Sequence, residues 1–210
     1  MSQLERAVEV MDRLRSPGGC PWDAEQTHDS LARYLLEETY EVLEAIERGD
    51  RSLLREELGD LLLQVLFHAR LAEEEPDPYS IEDVAADLVE KLVRRHPHVF
   101  ADAGTGARMH AAALNETWER QKIAEKGRTS AVDGVPTAQP ALALSAKLVA
   151  RVTRAGLDVP VPSDDELGTR LFALVQDAVA AGVDPETALR RTTLRYRDAI
   201  VAAEAAASAE

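Results

Sequence analysis

Two acidic motifs on neighbouring segments of the chain have the residue types and the spacing of a metal site. The stretch "YLLEETYEVLEAI" contains Glu37, Glu38 and Glu41, and the later stretch "REELGD" contains Glu57 and Asp60. In a helix, residues three or four positions apart lie on one face, so each motif would project a pair of carboxylates in the same direction. Apolar residues surround both pairs, and crowded carboxylates at the edge of a core repel one another and lose hydration. A bound cation would compensate both effects.

The chemistry of these side chains indicates which cation they would bind. Ligand sets made only of oxygen favour a hard divalent ion, and Mg²⁺ suits this set best because it retains waters and bridges to substrate phosphates, with Mn²⁺ as a substitute. The alternative is a solvated acidic face, because Glu is a good helix former. Two pairs with matched spacing on consecutive helices favour metal binding over that alternative.

The elements that must position these carboxylates are predicted to be helices. Apolar residues recur every three and four positions through most of the chain, and no alternation of period two is sustained over the length of a strand, so the predicted fold class is all-α. Helices are predicted at residues 3–15, 30–47, 52–75, 81–95, 109–126, 140–155, 164–181 and 185–207. Only the turn "RGDR" separates the second helix from the third, so these two should pack antiparallel and bring the acidic pairs together.

Capping residues and prolines set the expected ends of these helices. Asp29 or Ser30 is the predicted N-cap of the second helix, and Ser80 is that of the fourth. Pro and paired Gly are expected to end the first helix at "SPGGCPWD", and Pro97 is expected to keep "HPHVF" out of a helix.

The composition excludes several classes of function. Lys and Arg number 24 and Asp and Glu number 38, which gives a formal net charge of −14. Such an acidic surface repels a phosphate backbone, so stable nucleic-acid binding is not expected. The single Cys20 has no partner for a disulfide within the chain, and no apolar run is long enough for a membrane span or a signal peptide. We therefore expect a cytoplasmic protein without a membrane partner.

The stretch "GRTSAVDGVPTAQP" differs from the rest of the chain, because it combines Gly, Pro and polar residues as a linker does. We therefore predict a first domain at residues 1–126, a linker at 127–139 and a second helical domain at 140–210.

A long stretch of the first domain is recognisable as a known family. The run "MDRLRSPGGCPWDAEQTHDSLARYLLEETYEVLEAIERGDRSLLREELGDLLLQVLFHARLAEEE", followed by "KLVRRHPHVF", closely resembles the MazG family of nucleoside triphosphate pyrophosphohydrolases, members of the all-α NTP pyrophosphatase superfamily. The resemblance extends over residues 1–126. It implies a helical bundle that forms a homodimer, binds Mg²⁺, and hydrolyses non-canonical or excess nucleoside triphosphates to monophosphate and pyrophosphate.

The resemblance also implies roles for the acidic residues. By position, the family's metal ligands fall on Glu38, Glu41, Glu57 and Asp60. Glu37, Glu38 and Glu41 form the motif to which catalysis is assigned, and Glu37 could orient or deprotonate the attacking water. Attack is expected at the α-phosphorus, because pyrophosphate is the product of the family.

Two further groups are candidates for substrate binding. The basic residues near the end of the fourth helix, which could bind the triphosphate, are Lys91, Arg94 and Arg95. The segment "CPWDAEQTH" offers Trp22 to stack on the base, and Gln26 and His28 to form hydrogen bonds with it. Both groups have alternatives, because basic residues complement the dipole of a helix C-terminus and a Trp is often a core anchor.

Residues 140–210 retain traces of a second copy of the acidic module. The stretch "DDELGTRLFALV" resembles "REELGDLLLQVL", but Thr169 replaces the expected Asp, and no helix with an EExxE motif precedes it. We therefore predict a shortened, degenerate second repeat that binds no metal and whose apolar faces serve packing or dimerisation. Two alternatives for the whole chain are a catalytically silent helical interaction or regulatory module, and a related helical pyrophosphatase acting on phosphoribosyl or deoxynucleotide substrates.

Overall fold

The computed structural model describes residues 1–100, 129–161 and 166–208, and within these ranges every regular element is a helix. These helices are α1 (Gln3–Arg15), α2 (Pro21–Glu25), α3 (His28–Arg48), α4 (Arg51–Ala72), α5 (Ile81–Arg95), α6 (Pro97–Phe100), α7 (Ala141–Ala155), α8 (Glu166–Ala180) and α9 (Pro185–Ala207). The all-α prediction is confirmed. The helix predicted at residues 109–126 lies outside the described residues. None of the described helices is both long and apolar enough to cross a membrane.

The chain divides into two compact units, Met1–Met109 and His110–Glu210, which are described separately. The finer domain limits drawn from the sequence, with a linker at residues 127–139, stay a prediction.

Side-chain caps determine where the helices of the first unit begin. Ser80 caps α5 as predicted, in a capping box with Asp83. The predicted cap of α3 was wrong: Thr27 is the N-cap, and its hydroxyl accepts a hydrogen bond from the backbone nitrogen of Ser30 at 3.1 Å. The Ser30 hydroxyl accepts from the backbone nitrogen of Thr27 at 2.9 Å in return. This reciprocal pair starts α3 two residues earlier than the sequence pattern indicated.

Two prolines begin short helices, and one of them, Pro97, was expected to prevent helix formation. Pro21 is the first residue of α2, and Pro97 is the first residue of α6. A proline is tolerated there because the first backbone nitrogens of a helix have no partner within it. The prediction that Pro97 keeps "HPHVF" out of a helix is therefore wrong. The predicted end of the first helix at "SPGGCPWD" is confirmed, because α1 ends at Arg15.

The first unit is organised around the helical hairpin of α3 and α4, which have the most extensive mutual contact of any two helices described in it. Gly49 ends α3 in the left-handed conformation at φ 67°, and the Asp50 side chain caps α4. The two helices are antiparallel as predicted, since Glu41 approaches Glu57 near the turn and His28 approaches His68 far from it. The buried core residues beneath this hairpin are Met11, Leu31, Leu66, Phe67 and Leu71.

Many large apolar side chains of this unit lie outside that core. On α3, Leu36 and Ile46 are each 56% exposed, and on α5, Val89 is 59% exposed. Others on α4 and α5 are Leu58, Leu63, Val65, Leu88, Leu92 and Val93. We call the exposed apolar residues of α3, α4 and α5 the outer apolar surface.

In the second unit, α7 contacts both α8 and α9. Val175 of α8 is fully buried, and Asp184 caps α9. The Arg151 guanidinium donates to the backbone oxygens of Ala131 and Asp133, which attaches the segment before α7 to that helix. Within the described part of this unit there is no cluster of acidic side chains like the one in the first unit.

Candidate metal centre

The two acidic motifs meet where α3 and α4 pack together. Glu38 and Glu41 lie one turn apart on α3, and each offers a carboxylate oxygen that lies within 4.8 Å of an oxygen of Glu57 on α4 and of the other's oxygen. Asp60, one turn beyond Glu57, is close enough for its charge to act on both Glu38 and Glu57. The predicted meeting of the acidic pairs across the interface is thus present in the structure. We call Glu38, Glu41, Glu57 and Asp60 the carboxylate cluster.

The electrostatics of the carboxylate cluster favour binding of a positive ion. The pKa of Glu38 is raised to about 7, mainly by burial and then by a hydrogen bond with Glu41 and the charges of Glu41, Asp60 and Glu37. Partial desolvation and the neighbouring charges of Glu41 and Asp60 also raise the pKa of Glu57. Within the described residues, every charged group that shifts these two pKa values is another carboxylate. A donor set of carboxylate oxygens under mutual repulsion fits a hard divalent cation.

The raised pKa of Glu38 makes the metal-free protein less stable as the pH rises. The folded-state value of about 7 exceeds the ordinary 4.5, so the folded protein binds more protons between these values. We expect the free energy of unfolding in EDTA to fall from about pH 5 to about pH 7, and millimolar Mg²⁺ to stabilise the protein more at the upper end, where the metal displaces fewer protons. Urea unfolding across this range checks both effects. Glu38→Gln should flatten the slope, and an unchanged slope would contradict the assignment.

The residues predicted to bind the base lie farther from the turn of the hairpin than the carboxylate cluster does. Trp22 on α2 is 50% exposed, and its ring meets Tyr34 edge-on at 6.0 Å and Phe67 edge-on at 6.5 Å between centroids. Trp22 therefore anchors α2 to the core and keeps half of its surface accessible, and its stacking on a base stays a prediction. The Gln26 side chain donates to the backbone oxygen of Trp22 at 2.9 Å and accepts from the Ser30 hydroxyl at 2.7 Å, so in this structure its amide holds the α2–α3 junction.

His28 makes a contact that the sequence did not reveal. Its Nδ1 lies 2.6 Å from Nδ1 of His68, with the two rings nearly parallel, and its Nε2 lies 3.4 Å from a Glu75 oxygen. A hydrogen bond between two ring nitrogens requires one of them to be unprotonated. Burial, and then the neighbouring His28, lower the pKa of His68, which keeps this ring neutral. Because His28 and His68 are 40 positions apart, no local sequence pattern indicates that they meet.

Polar residues that sequence reasoning missed continue the acidic face of α4. Gln64 and His68 follow Asp60 at intervals of four residues, and Gln64 is only 4% exposed. The spacing of four, which places successive residues on one helical face, was the signal that could have identified them.

The basic residues Lys91, Arg94 and Arg95 lie in the last two turns of α5. Arg94 donates to a Glu90 oxygen at 2.6 Å on an exposed part of the helix. The position at a helix C-terminus agrees with the dipole interpretation, and the role of these residues toward a triphosphate stays a prediction.

Comparison with known proteins gives a consistent result. A family model described as the MazG nucleotide pyrophosphohydrolase domain matches residues 26–100, which include the carboxylate cluster and the basic residues of α5. The chain is 52% identical, over 97% of its length and 83% of the relative's, to an uncharacterized 26.1 kDa protein in the blaB 3' region of Streptomyces cacaoi. It is 47% identical over 99% of its length to a nucleoside triphosphate pyrophosphohydrolase of Mycolicibacterium smegmatis, of which it spans 61%. A nucleoside triphosphate pyrophosphohydrolase of Escherichia coli K12 is 38% identical over 93% of this chain and 85% of that protein.

Proposed function

This chain belongs to the MazG family of nucleotide pyrophosphohydrolases, and on that premise we propose that it hydrolyses nucleoside triphosphates to monophosphate and pyrophosphate with Mg²⁺. The observation that carries the proposal is the carboxylate cluster, in which oxygens of Glu38, Glu41 and Glu57 lie within 4.8 Å of one another inside the matched region. The relatives named nucleoside triphosphate pyrophosphohydrolase support the substrate class. In the cell, such an enzyme would remove non-canonical or excess nucleotides from the cytoplasmic pool.

The carboxylate cluster would hold the metal. Four carboxylates from two helices provide an oxygen-only set that suits Mg²⁺ and also accepts Mn²⁺. When bound, the ion would neutralise charge on the phosphate oxygens and on the departing pyrophosphate. Glu37 lies beside the cluster on α3 and is exposed, so its carboxylate is free to orient a water and accept its proton. That water attacks the α-phosphorus, the bond to the bridging oxygen breaks, and pyrophosphate leaves.

The remaining predicted residues would bind the rest of the nucleotide. Lys91, Arg94 and Arg95 supply positive charge toward the triphosphate, which a chain of net charge −14 needs locally to attract an anion. Half-exposed Trp22 offers an aromatic face for the base, with Gln26 and His28 nearby in the same segment. Stacking tolerates all bases, so this surface would give affinity more than base selection.

An assay of reaction products tests the proposal. Purified protein is incubated with each common and each deaminated nucleoside triphosphate, with and without Mg²⁺, and pyrophosphate and orthophosphate are measured separately. We expect pyrophosphate release that requires Mg²⁺. Orthophosphate as the product, or no release from folded protein over the whole panel, would overturn the proposal, and the latter result would favour the silent interaction module.

We further propose that the outer apolar surface is covered by a second copy of the chain in a homodimer. Large exposed apolar groups such as Leu36, Ile46 and Val89 are typical of protein interfaces. We expect wild-type protein to sediment as a dimer, and Val89→Glu to shift it toward monomer because a charge cannot be buried unpaired. Val10→Glu on α1, where the side chain is 50% exposed, is the control that should remain dimeric. A monomeric wild type, or equal dissociation of both variants, would contradict this interface.

A further inference from the structure

Arg15 makes an unusual set of contacts at the end of α1. Its side chain is only 8% exposed, and its guanidinium faces the short α2 and the C-terminal end of α4. The Nη1 atom donates to the backbone oxygens of Asp23 at 2.6 Å and Gln26 at 3.1 Å. The Nε and Nη2 atoms each donate to a Glu74 carboxylate oxygen at 2.9 Å. All three guanidinium nitrogens are therefore engaged, with the end of α2 on one side and with the turn that follows α4 on the other.

These contacts hold the segment that connects α1 to α3. A helix of five residues, such as α2, is too short to be stable alone, and its last carbonyl groups lack partners within it. Arg15 supplies those partners. On the other side of the segment, Gly19 approaches α1 so closely that a Cβ atom there would lie 2.2 Å from the Leu14 oxygen. The segment is thus attached to α1 at its start by close backbone packing and at its end by one buried arginine.

Glu74 is the partner that allows this arginine to be buried. The hydrogen bond from Arg15 is the main cause that lowers the pKa of Glu74, so the carboxylate stays ionised and balances the guanidinium charge. Glu74 also accepts from Arg70 Nη1 at 2.9 Å, and Arg70 donates through Nε to Asp12 at 2.8 Å. Both arginines therefore bind Glu74, but only Arg15 has hydrogen bonds to the backbone of α2.

The segment held in this way carries Trp22, whose exposed half is the proposed stacking surface for the base. We propose that Arg15, with Glu74, is a positioning residue of the nucleotide site: it fixes α2, and with it Trp22, without touching the substrate. This inference rests on the proposed function. A guanidinium is needed because its fork of donors reaches a carboxylate and two carbonyls at once, which a Lys ammonium on a flexible stem does not reproduce.

The test compares Arg15→Lys with Arg70→Lys, two variants that keep the charge and alter one Glu74 partner each. For Arg15→Lys we expect the KM for nucleoside triphosphate to rise roughly tenfold, the size of a lost stacking contact, while kcat changes less than about twofold. Inhibition by inorganic tripolyphosphate, which has no base, should be unchanged. Arg70→Lys should leave the KM unchanged. If the role of Arg15 were merely structural, both variants would instead bind both the nucleotide and tripolyphosphate more weakly.

Hydrogen–deuterium exchange provides an independent measurement of the segment itself. The backbone nitrogens of Cys20, Ala24 and Thr27 donate to Leu14, Cys20 and Ser30 respectively, so their amides report whether α2 is held. We expect faster exchange at these positions in Arg15→Lys than in Arg70→Lys or wild type. Wild-type exchange and KM in Arg15→Lys, or an equal rise of KM in both variants, would overturn the positioning role.

Binding of a non-hydrolysable nucleotide distinguishes failure of this inference from failure of the proposed function. Trp118 is the other tryptophan of the chain, so in a Trp118→Phe variant the fluorescence of Trp22 alone reports binding without turnover. A protein that binds nucleotide but releases no pyrophosphate would overturn the proposed reaction alone, and the loss of affinity in Arg15→Lys would still support the positioning role. A wild-type chain that binds no nucleotide would overturn both.

Discussion

Replacement of Glu41 by Gln is expected to lower Mg²⁺-dependent pyrophosphate release at least about a hundredfold while leaving the helices intact. Glu41 shares a hydrogen bond with Glu38, and its charge raises the pKa of both Glu38 and Glu57, so it occupies the centre of the carboxylate cluster. Gln retains the shape but removes the negative charge that would hold the ion. The metal-free variant should be as stable as wild type or more stable, because one repelling charge is gone. Steady-state kinetics and urea unfolding in EDTA measure the two effects.

Asp60→Asn and Glu44→Gln complete this comparison. Asp60 acts on the cluster from α4, and its replacement should cause a loss of similar size. Glu44 lies one turn beyond Glu41 on α3 and pairs with Arg48 at 2.5 Å, outside the cluster, so its replacement should change turnover less than about twofold. Substantial activity in both Glu41→Gln and Asp60→Asn would refute the assigned metal ligands.

Leu31→Ala is expected to lower the free energy of unfolding by about 2–5 kcal/mol, the usual cost of emptying a fully buried leucine site. Leu31 is 1% exposed and lies in the core cluster with Met11 and Phe67, in the first turn of α3. The loss combines the transfer of apolar atoms to water with the cavity left between well-packed neighbours. Urea unfolding followed by far-ultraviolet circular dichroism measures it.

Leu4→Ala is the matched control for this change, because it removes the same atoms from a surface position on α1. Leu4 is 63% exposed, so its replacement should cost less than about 1 kcal/mol. Equal losses in the two variants would mean that Leu31 is not part of the stabilising core.

The parts of the structure that depend on local spacing were predictable from the sequence. The three-residue spacing of Glu38 with Glu41 and of Glu57 with Asp60, together with the short turn between their helices, was enough to predict that the carboxylates meet. The limits of α1, Gln3–Arg15, were likewise predicted correctly, because apolar periodicity and the following Pro and Gly agree there.

Contacts between residues far apart in sequence were not predictable in the same way. The hydrogen bonds of Arg15 with Glu74 join residues 59 positions apart, and those of His28 with His68 join residues 40 apart. No periodicity relates such residues, because their approach is decided by how the helices pack. The prediction of the N-cap of α3 was wrong for a different reason. Thr27 and Ser30 are both suitable N-cap residues, and only the reciprocal hydrogen bonds between them select Thr27.

The hairpin of α3 and α4 has a consequence for how the protein reaches its folded state. Closing this hairpin requires only the short turn at Gly49 and Asp50, so the entropy lost in bringing Glu38, Glu41, Glu57 and Asp60 together is small. The bond between Arg15 and Glu74, by contrast, closes a loop of 59 residues that contains the whole hairpin. Because local contacts generally form faster than distant ones, the acidic half of the site should assemble early during folding and the segment of Trp22 should dock onto it afterwards.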